Sequence, residues 1–473
     1  MPERETYGAS PNCERSGSSD QDVKFTVQGI PFKVFKRPDD VTDEDHEDDD
    51  YTDEELMKFE DSIEDSSRYV PGGYHPVHLG DTLGPEARYR VLHKIGSGLS
   101  STVWLCRDIA GEKYVAVKII VADESEDSPE LNYLKLKDAS HEQSGGDKIC
   151  IPESHFWLDG PNGTHLCLVL PVIGPPVPDI LALAEGPVGF SHSISTQVVE
   201  GLEFLHRNGI CHGDIEPANI LLKITNFDDL TEDQIMSTFG KPFKLAVQTA
   251  SSGNTEESVP DYLVGQINFW RVDCRNISAY VCIVDLGESY EISSPPEDLG
   301  IPVDYAAPEV IFDKPVGVAS DIWPLGCTLT AIRSGQPLFG VLFGDANEVI
   351  LSIIETLGKL PEPWIDSWKE FYDPGPELLS NESGSSTSKF QCLKETLDGE
   401  RKCFDLRTSK NHIIKIPEDE LEIFVDLVAR TLTYDPQDRI SIASIKAHPW
   451  FTGTWKENKE GGKTSQESKE GTA

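Results

Sequence analysis

Residues 212–222 read His212-Gly213-Asp214-Ile215-Glu216-Pro217-Ala218-Asn219-Ile220-Leu221-Leu222, and the rest of the chain is best read outward from them. A helical run precedes them, with Ile194, Val198, Leu202 and Leu205 at helical spacing. The apolar run Ile220-Leu221-Leu222 follows and predicts a strand. An Asp and an Asn five residues apart, on a loop between helix and strand, suit two jobs. Asp214 can accept or orient the proton of a hydroxyl. Asn219 can hold a metal ion through its side-chain oxygen.

Further along comes Ile283-Val284-Asp285-Leu286-Gly287. An Asp ending an apolar strand before a glycine is a good Mg²⁺ ligand, because Mg²⁺ prefers carboxylate and phosphate oxygens. Ala307-Pro308-Glu309 lies beyond it, and Arg439 closes the run Asp435-Pro436-Gln437-Asp438-Arg439. Before the central stretch stands Gly96-Ser97-Gly98-Leu99-Ser100-Ser101-Thr102-Val103. Glycines between two strands let backbone N–H groups approach phosphate oxygens closely. Fifteen residues past Val103, Lys118 ends Val115-Ala116-Val117-Lys118. An ammonium there sits beside the glycine loop and calls for a carboxylate partner. Glu130 is the first choice, with Leu134 one turn later facing inward, and Glu126 and Glu124 stand in reserve. Each piece has an ordinary reading, as a tight turn or a lysine reaching for water. Their occurrence together, in this order, does not.

The spacing around these motifs sets the fold class. From Tyr89 to Val121 the chain reads strand, glycine turn, strand, turn, strand. A short helical segment is predicted near Pro129–Asp138. Ile149–Leu158 and His165–Val172 follow as strands, with a hairpin signal at Asn162-Gly163. Helical periodicity takes over after residue 178, with later helices predicted over Ala319–Ser334, Asn347–Leu357, Glu418–Leu432 and Ile440–Ala447. The prediction is an α+β protein: a five-stranded antiparallel sheet with one helix, then a larger and mainly α-helical lobe, with the working cleft between them.

Together these residues resemble the signature set of the eukaryotic protein kinases over about residues 89–451. The resemblance implies a bilobal fold, ATP and Mg²⁺. It makes Asp214, Lys118 and Glu130 the catalytic residues and Asn219 and Asp285 the metal ligands. It places Ile95, Gly96, Ser97, Gly98, Val103, Ala116, Lys118, Leu170, Val172 and Asn219 around the nucleotide. It also implies a buried Glu309–Arg439 ion pair, an Asp321 that holds the catalytic loop, and an apolar stack of Leu134, His212 and Leu286. Within kinases the chain resembles the SR-protein kinases, as a divergent, fungal-type member. The carriers are Tyr74-His75-Pro76-Val77-His78-Leu79-Gly80-Asp81, Asn162-Gly163-Thr164-His165-Leu166-Cys167, Trp323-Pro324-Leu325-Gly326-Cys327, the Asp-Leu-Gly form and a spacer of 66 residues from Asn219 to Asp285. That family implies basic Arg-Ser substrates and a link to mRNA splicing.

Composition agrees with a basic protein substrate. The net charge is −41. Residues 1–75 carry 21 acids and 8 bases, so the other 398 residues still hold −28. An acidic body draws in basic ligands, and acidity also serves solubility. Direct nucleic-acid binding is not expected, nor is a membrane span or signal peptide. Ten scattered cysteines with no CxxC pair read as a reduced, intracellular chain. Cytoplasm or nucleus, and a monomer, are the expectations.

The chain divides into an acidic, disordered tail over 1–70, an extension over 71–88, an N-lobe over 89–172 and a C-lobe over 173–452. Fifteen of the 26 residues from Asp39 to Glu64 are acidic. Val23–Phe35 alternates well enough to form a strand or to dock. Inserts are read over 227–278 and 373–415, and 453–473 as a flexible tail.

Two residues depart from the kinase pattern. Glu216 stands where a lysine usually meets the γ-phosphate, which leaves a nucleotide-binding scaffold without catalysis as the alternative. Gly213 replaces the arginine that answers a phosphorylated activation loop, so activation without that phosphorylation is expected.

Overall fold

The computed structural model describes residues 63–181, 187–247, 257–269, 276–297, 299–312, 314–340, 345–370, 388–405 and 410–453. To these it adds two N-terminal strands, β1 (Val23–Val27) and β2 (Ile30–Val34). The acidic stretch Asp39–Ser62, the tail beyond residue 453 and most of the polar part of the second insert lie outside the described residues. Where one strand or a docking segment was predicted over Val23–Phe35, β1 and β2 form an antiparallel ladder from Val23↔Val34 to Val27↔Ile30.

Six strands build the main sheet: β3 (Thr82–Leu83), β4 (Tyr89–Ser97), β5 (Ser101–Asp108), β6 (Lys113–Ile120), β7 (Ser154–Gly160) and β8 (Gly163–Pro171). Their order is β3-β4-β5-β6-β8-β7, antiparallel throughout. The predicted five are present, and the two-residue β3 adds an edge. β7 starts at Ser154, later than the predicted Ile149, because Pro152 cannot donate to a ladder. Side chains alternate between faces. Trp104, Cys106, Val115, Val117 and Ile119 pack on the outer face with Val77, Leu83 and Val264. The opposite face takes Leu105, Ala116, Lys118 and Ile120, so strand period alone aims Lys118 at the cleft.

The predicted single helix after β6 is broken. Ala122–Ser125, Glu130–Tyr133, a 3-10 turn at Leu134–Leu136 and Lys137–Glu142 follow one another. Pro129 begins the second piece without a side-chain cap. The tightening at Leu134 changes which residues face in. Tyr133 and Leu136 join the core with Leu286, whereas Leu134 is only half-buried, which corrects its predicted place in the stack.

Helix Pro187–Arg207 buries Ile194, Val198, Leu202 and Leu205 completely, each at 0% exposure. Against it lies Ile322–Ser334, buried along its whole length, and Glu418–Thr431 packs on that second helix. The predicted helix over Ala319–Ser334 starts as a 3-10 turn, Val318–Asp321. The first insert carries a capped helix, Glu232–Phe239, and a hairpin of Lys244–Ala246 with Tyr262–Val264. It returns to the small lobe: Val264 and Tyr262 cover the outer sheet face, Glu232 pairs with Arg90 at 2.5 Å, and Asp228 accepts from the Tyr114 amide at 2.8 Å. From the second insert, the helix Lys389–Leu397 buries Leu393 and Leu397 in the large core.

Candidate active site

Lys118 stands opposite Val103 on β5 and Leu168 on β8. Its ammonium meets Glu130 Oε1 at 2.5 Å and Asp285 Oδ1 at 2.9 Å. Burial alone would lower the Lys118 pKa, but the two carboxylates outweigh it and hold the amine charged, above its ordinary value. Burial pushes Glu130 up, while Lys118 holds Asp285 down. Glu124 and Glu126 make no such contact. Glu130 is the first residue of the turn that Pro129 begins.

Asp285 adopts φ 61°, in the left-handed region where Asp is among the few tolerant residues. The Gly287 amide donates to Asp285 Oδ1 at 3.3 Å. That conformation turns the carboxylate back toward Lys118.

The loop carrying Asp214 hangs from Asp321. Asp321 accepts the His212 amide at 2.8 Å, the Gly213 amide at 2.9 Å and His206 Nε2 at 2.9 Å. Thr328, on the buried helix, donates to the Ile215 carbonyl at 3.1 Å. His212 Nδ1 accepts from the Asp214 amide, so its Nε2–H donates to the Val284 carbonyl at 3.1 Å. Burial lowers the His212 pKa and keeps the ring neutral. This histidine ties the loop to the segment just after strand Ile277–Ile283 that carries Asp285.

Asn219 donates Nδ2–H to the Asp214 carbonyl at 3.0 Å and to its Oδ2 at 2.9 Å, leaving the amide oxygen as an acceptor. Asp214 Oδ1 is buried with no hydrogen-bond partner among the described residues. Burial, then the nearby Asp285, raises Asp214 to about 6. The donor set toward the cleft is thus a carboxylate and an amide oxygen beside a fixed ammonium. It fits a divalent cation with phosphate.

The other cleft positions follow from the sheet. Ile95, Gly96, Ser97 and Gly98 lie on and after β4, Val103 on β5, and Ala116 on β6 opposite Leu170 of β8. Val172 is half-buried just beyond β8.

Glu216 sits in acidic surroundings. Burial first, then Asp214, Asp304 and Asp285, raise its carboxyl to about 7. Asp304 is a neighbour that no sequence motif marks. Because the folded pKa lies above the ordinary 4.5, the unfolded chain gives up this proton first, and stability is lost as pH rises from 4.5 toward 7. Glu216→Gln is therefore expected to raise Tm at pH 8 by about 1 °C, worth about 1 kcal/mol after allowing for solvent screening. At pH 4 the change should vanish. Equal shifts at both pH values in a melting series would refute the assignment.

Two buried ion pairs brace the large lobe. Arg439 grips Glu309 with both arms at 2.5 and 2.6 Å, as the sequence predicted. Arg333 and Glu420 form the second at 2.8 and 2.7 Å, with the Trp450 indole on Glu420 at 2.9 Å. No motif marks that pair. Its one sequence sign is a single charge in the otherwise uncharged run 322–334.

Comparison with known proteins agrees with this arrangement. The protein kinase domain family matches residues 89–235 and 273–451. The serine/threonine-protein kinase SRPK of Physarum polycephalum is 25% identical over 416 residues, 83% of this chain and 92% of that one. The protein kinase dsk1 of Schizosaccharomyces pombe is 24% identical, covering 84% and 86%. Over a shorter span of 167 residues, 34% of this chain and 29% of the other, human SRSF protein kinase 3 is 38% identical. A crystal structure of a kinase domain shares the fold with a TM-score of 0.52 at 21% identity, covering 80% of this chain and 98% of that one. These relatives are named as kinases and give the non-catalytic alternative no support. The chain belongs to the protein kinase family, with SR-protein kinases among its similar relatives.

Proposed function

We propose that the chain transfers the γ-phosphate of ATP to serine or threonine in a basic, Arg-Ser-type protein. The observation that carries this is the Lys118 ammonium held between Glu130 of the small lobe and Asp285 of the large one. Two lobes joined through one cation define a place for a polyphosphate. Lys118 holds its α/β-phosphates, and the amides around Gly96 and Gly98 cover it. Asp285 and the Asn219 oxygen would hold Mg²⁺, which would supply positive charge against the charge developing on the transferred group. Asp214 receives the hydroxyl proton on its free Oδ1, and Asn219 keeps that carboxylate aimed.

The basic substrate is supported by the charge of −41 and by the acids Glu216, Asp304 and Glu288 near Asp214. The relatives named for SRPK and SRSF kinases point the same way and suggest splicing regulation. The acidity supports a chain that binds no nucleic acid directly, and cytoplasm or nucleus and a monomeric state are part of the same proposal. No helix among the described residues is long and apolar enough to cross a membrane.

Activation needs no phosphate. The Tyr290–Glu291 strand pairs with Ile210–Cys211, and Cys211, Tyr290, Leu299 and Val316 pack together. Ser289 is buried and bonded to the Leu286 carbonyl. Such packing orders the segment without an Arg–phosphate pair.

Radiolabelled transfer from MgATP to an Arg-Ser repeat peptide tests the reading. Wild type should label it and Asp214→Ala should lose about 10³-fold or more. An acidic peptide should stay unlabelled. Equal labelling of both peptides would defeat the substrate class, and none at all, with MgATP bound, would defeat catalysis.

A further inference from the structure

The residues 74–81 mark a likeness but have no part in the chemistry above. Tyr74 heads them. It is 3% exposed, yet its hydroxyl donates to the Gly98 carbonyl at 2.7 Å, across to the tip of the glycine loop.

Everything around Tyr74 fixes that hydroxyl. Its ring meets Tyr69 edge-on at 5.4 Å and packs with Val121 and Leu263. Its amide donates to the Arg68 carbonyl at 3.0 Å, and its carbonyl accepts from Asn162 Nδ2 at 2.6 Å. Tyr69 donates to Glu64 Oε1 at 2.6 Å, and the other Glu64 oxygen binds the ammonium of Lys94, a fully buried residue of β4. From the insert, Ile267 donates to the Lys94 carbonyl at 2.7 Å. The base of the loop is held on two sides.

The tip is not. Leu99 is 80% exposed, and a Cβ added at Gly96 or Gly98 would meet nothing within 4 Å. Among the described residues, apart from the hairpin bond from the Gly98 amide to the Ser101 carbonyl, the Val121 amide on the Ser100 carbonyl and the Gln266 side-chain amide on the Ser97 hydroxyl at 3.5 Å, the Tyr74 hydroxyl anchors the loop there. In a trans peptide the carbonyl of one residue and the N–H of the next point in opposite directions. Holding the Gly98 carbonyl toward the extension therefore turns the Leu99 N–H away from it.

We propose that Tyr74 is a positioning residue: through the Gly98 carbonyl it sets the Leu99 amide to donate to a nucleotide phosphate. The inference rests on the kinase reading and adds the N-terminal extension to its nucleotide site.

The test uses the full chain and Tyr74→Phe, which keeps the ring and removes one oxygen. MgATP and adenosine are titrated separately against both proteins, with Tm recorded. The Kd for MgATP should rise about fivefold, the worth of one ordinary hydrogen bond. Adenosine, which has no phosphate, should bind as before, and KM for ATP should rise with kcat nearly constant. An unchanged Kd for MgATP overturns the proposal. So does equal weakening of adenosine, or a Tm loss beyond about 5 °C, which would assign the hydroxyl to folding. If wild type binds MgATP but transfers nothing, the kinase reading fails while the titration still decides Tyr74. If wild type binds neither, both fall.

Discussion

Gly213→Ala is expected to cost about 3 kcal/mol of stability and at least about 100-fold in phosphate transfer, although it adds a single methyl group. Gly213 has φ +84°, a conformation that costs an L-residue about 1–2 kcal/mol. A Cβ there would lie 2.1 Å from the Glu288 carbonyl oxygen, which is backbone and cannot swing aside. Relief requires moving either the loop that carries Asp214 or the segment that follows Asp285. Both the Gly213 amide and the His212 amide are fixed on Asp321, so the strain passes into the catalytic loop. Gly213→Arg, which restores the usual kinase residue, should be no better, because the fault lies in the Cβ and not in the charge. Melting curves and single-turnover transfer for both variants check this. An arginine variant as active as wild type would show that the loop adopts another path.

Arg439→Met should lower stability by about 3–5 kcal/mol, the usual cost of stranding one buried charge. The pair is enclosed, with side-chain exposures of 0% and 1%. Arg439 also donates to the carbonyls of Thr433 at 2.7 Å and Ala319 at 2.9 Å, and lies over the Trp323 ring at 5.3 Å. Without it Glu309 keeps, among the described residues, the Ser320 hydroxyl at 2.9 Å. Removing both charges in Glu309→Leu/Arg439→Met should recover at least half of the loss, since the desolvated carboxylate is gone as well. Chemical denaturation of the four proteins gives the coupling directly. A double variant as unstable as the sum of the singles would mean the two side chains act separately.

Much of the arrangement was legible in the chain because it rests on local rules. Strand alternation aims Lys118 at the cleft and helical spacing buries Ile194, Val198, Leu202 and Leu205, while the Glu309–Arg439 pair, 130 residues apart, follows from the resemblance to kinases. The preference for Glu130 over Glu124 and Glu126 also agrees with the observed contact. Where the reading missed, the cause was local geometry that composition does not encode. The 3-10 turn at Leu134 rotated Tyr133 and Leu136 into the core in its place, and Pro152 delayed β7.

The sequence by itself determined the elements and the chemical groups, since both follow from residue type and period. Tertiary structure alone decided which distant groups meet: Glu64 with Lys94, Tyr74 with Gly98, Arg333 with Glu420, and the first insert with the outer face of the small lobe. It also decided the charge of Glu216, whose pKa is raised by burial first and then by Asp214, Asp304 and Asp285 around it. Burial and long-range contact are properties of the packed chain, and no window of residues carries them.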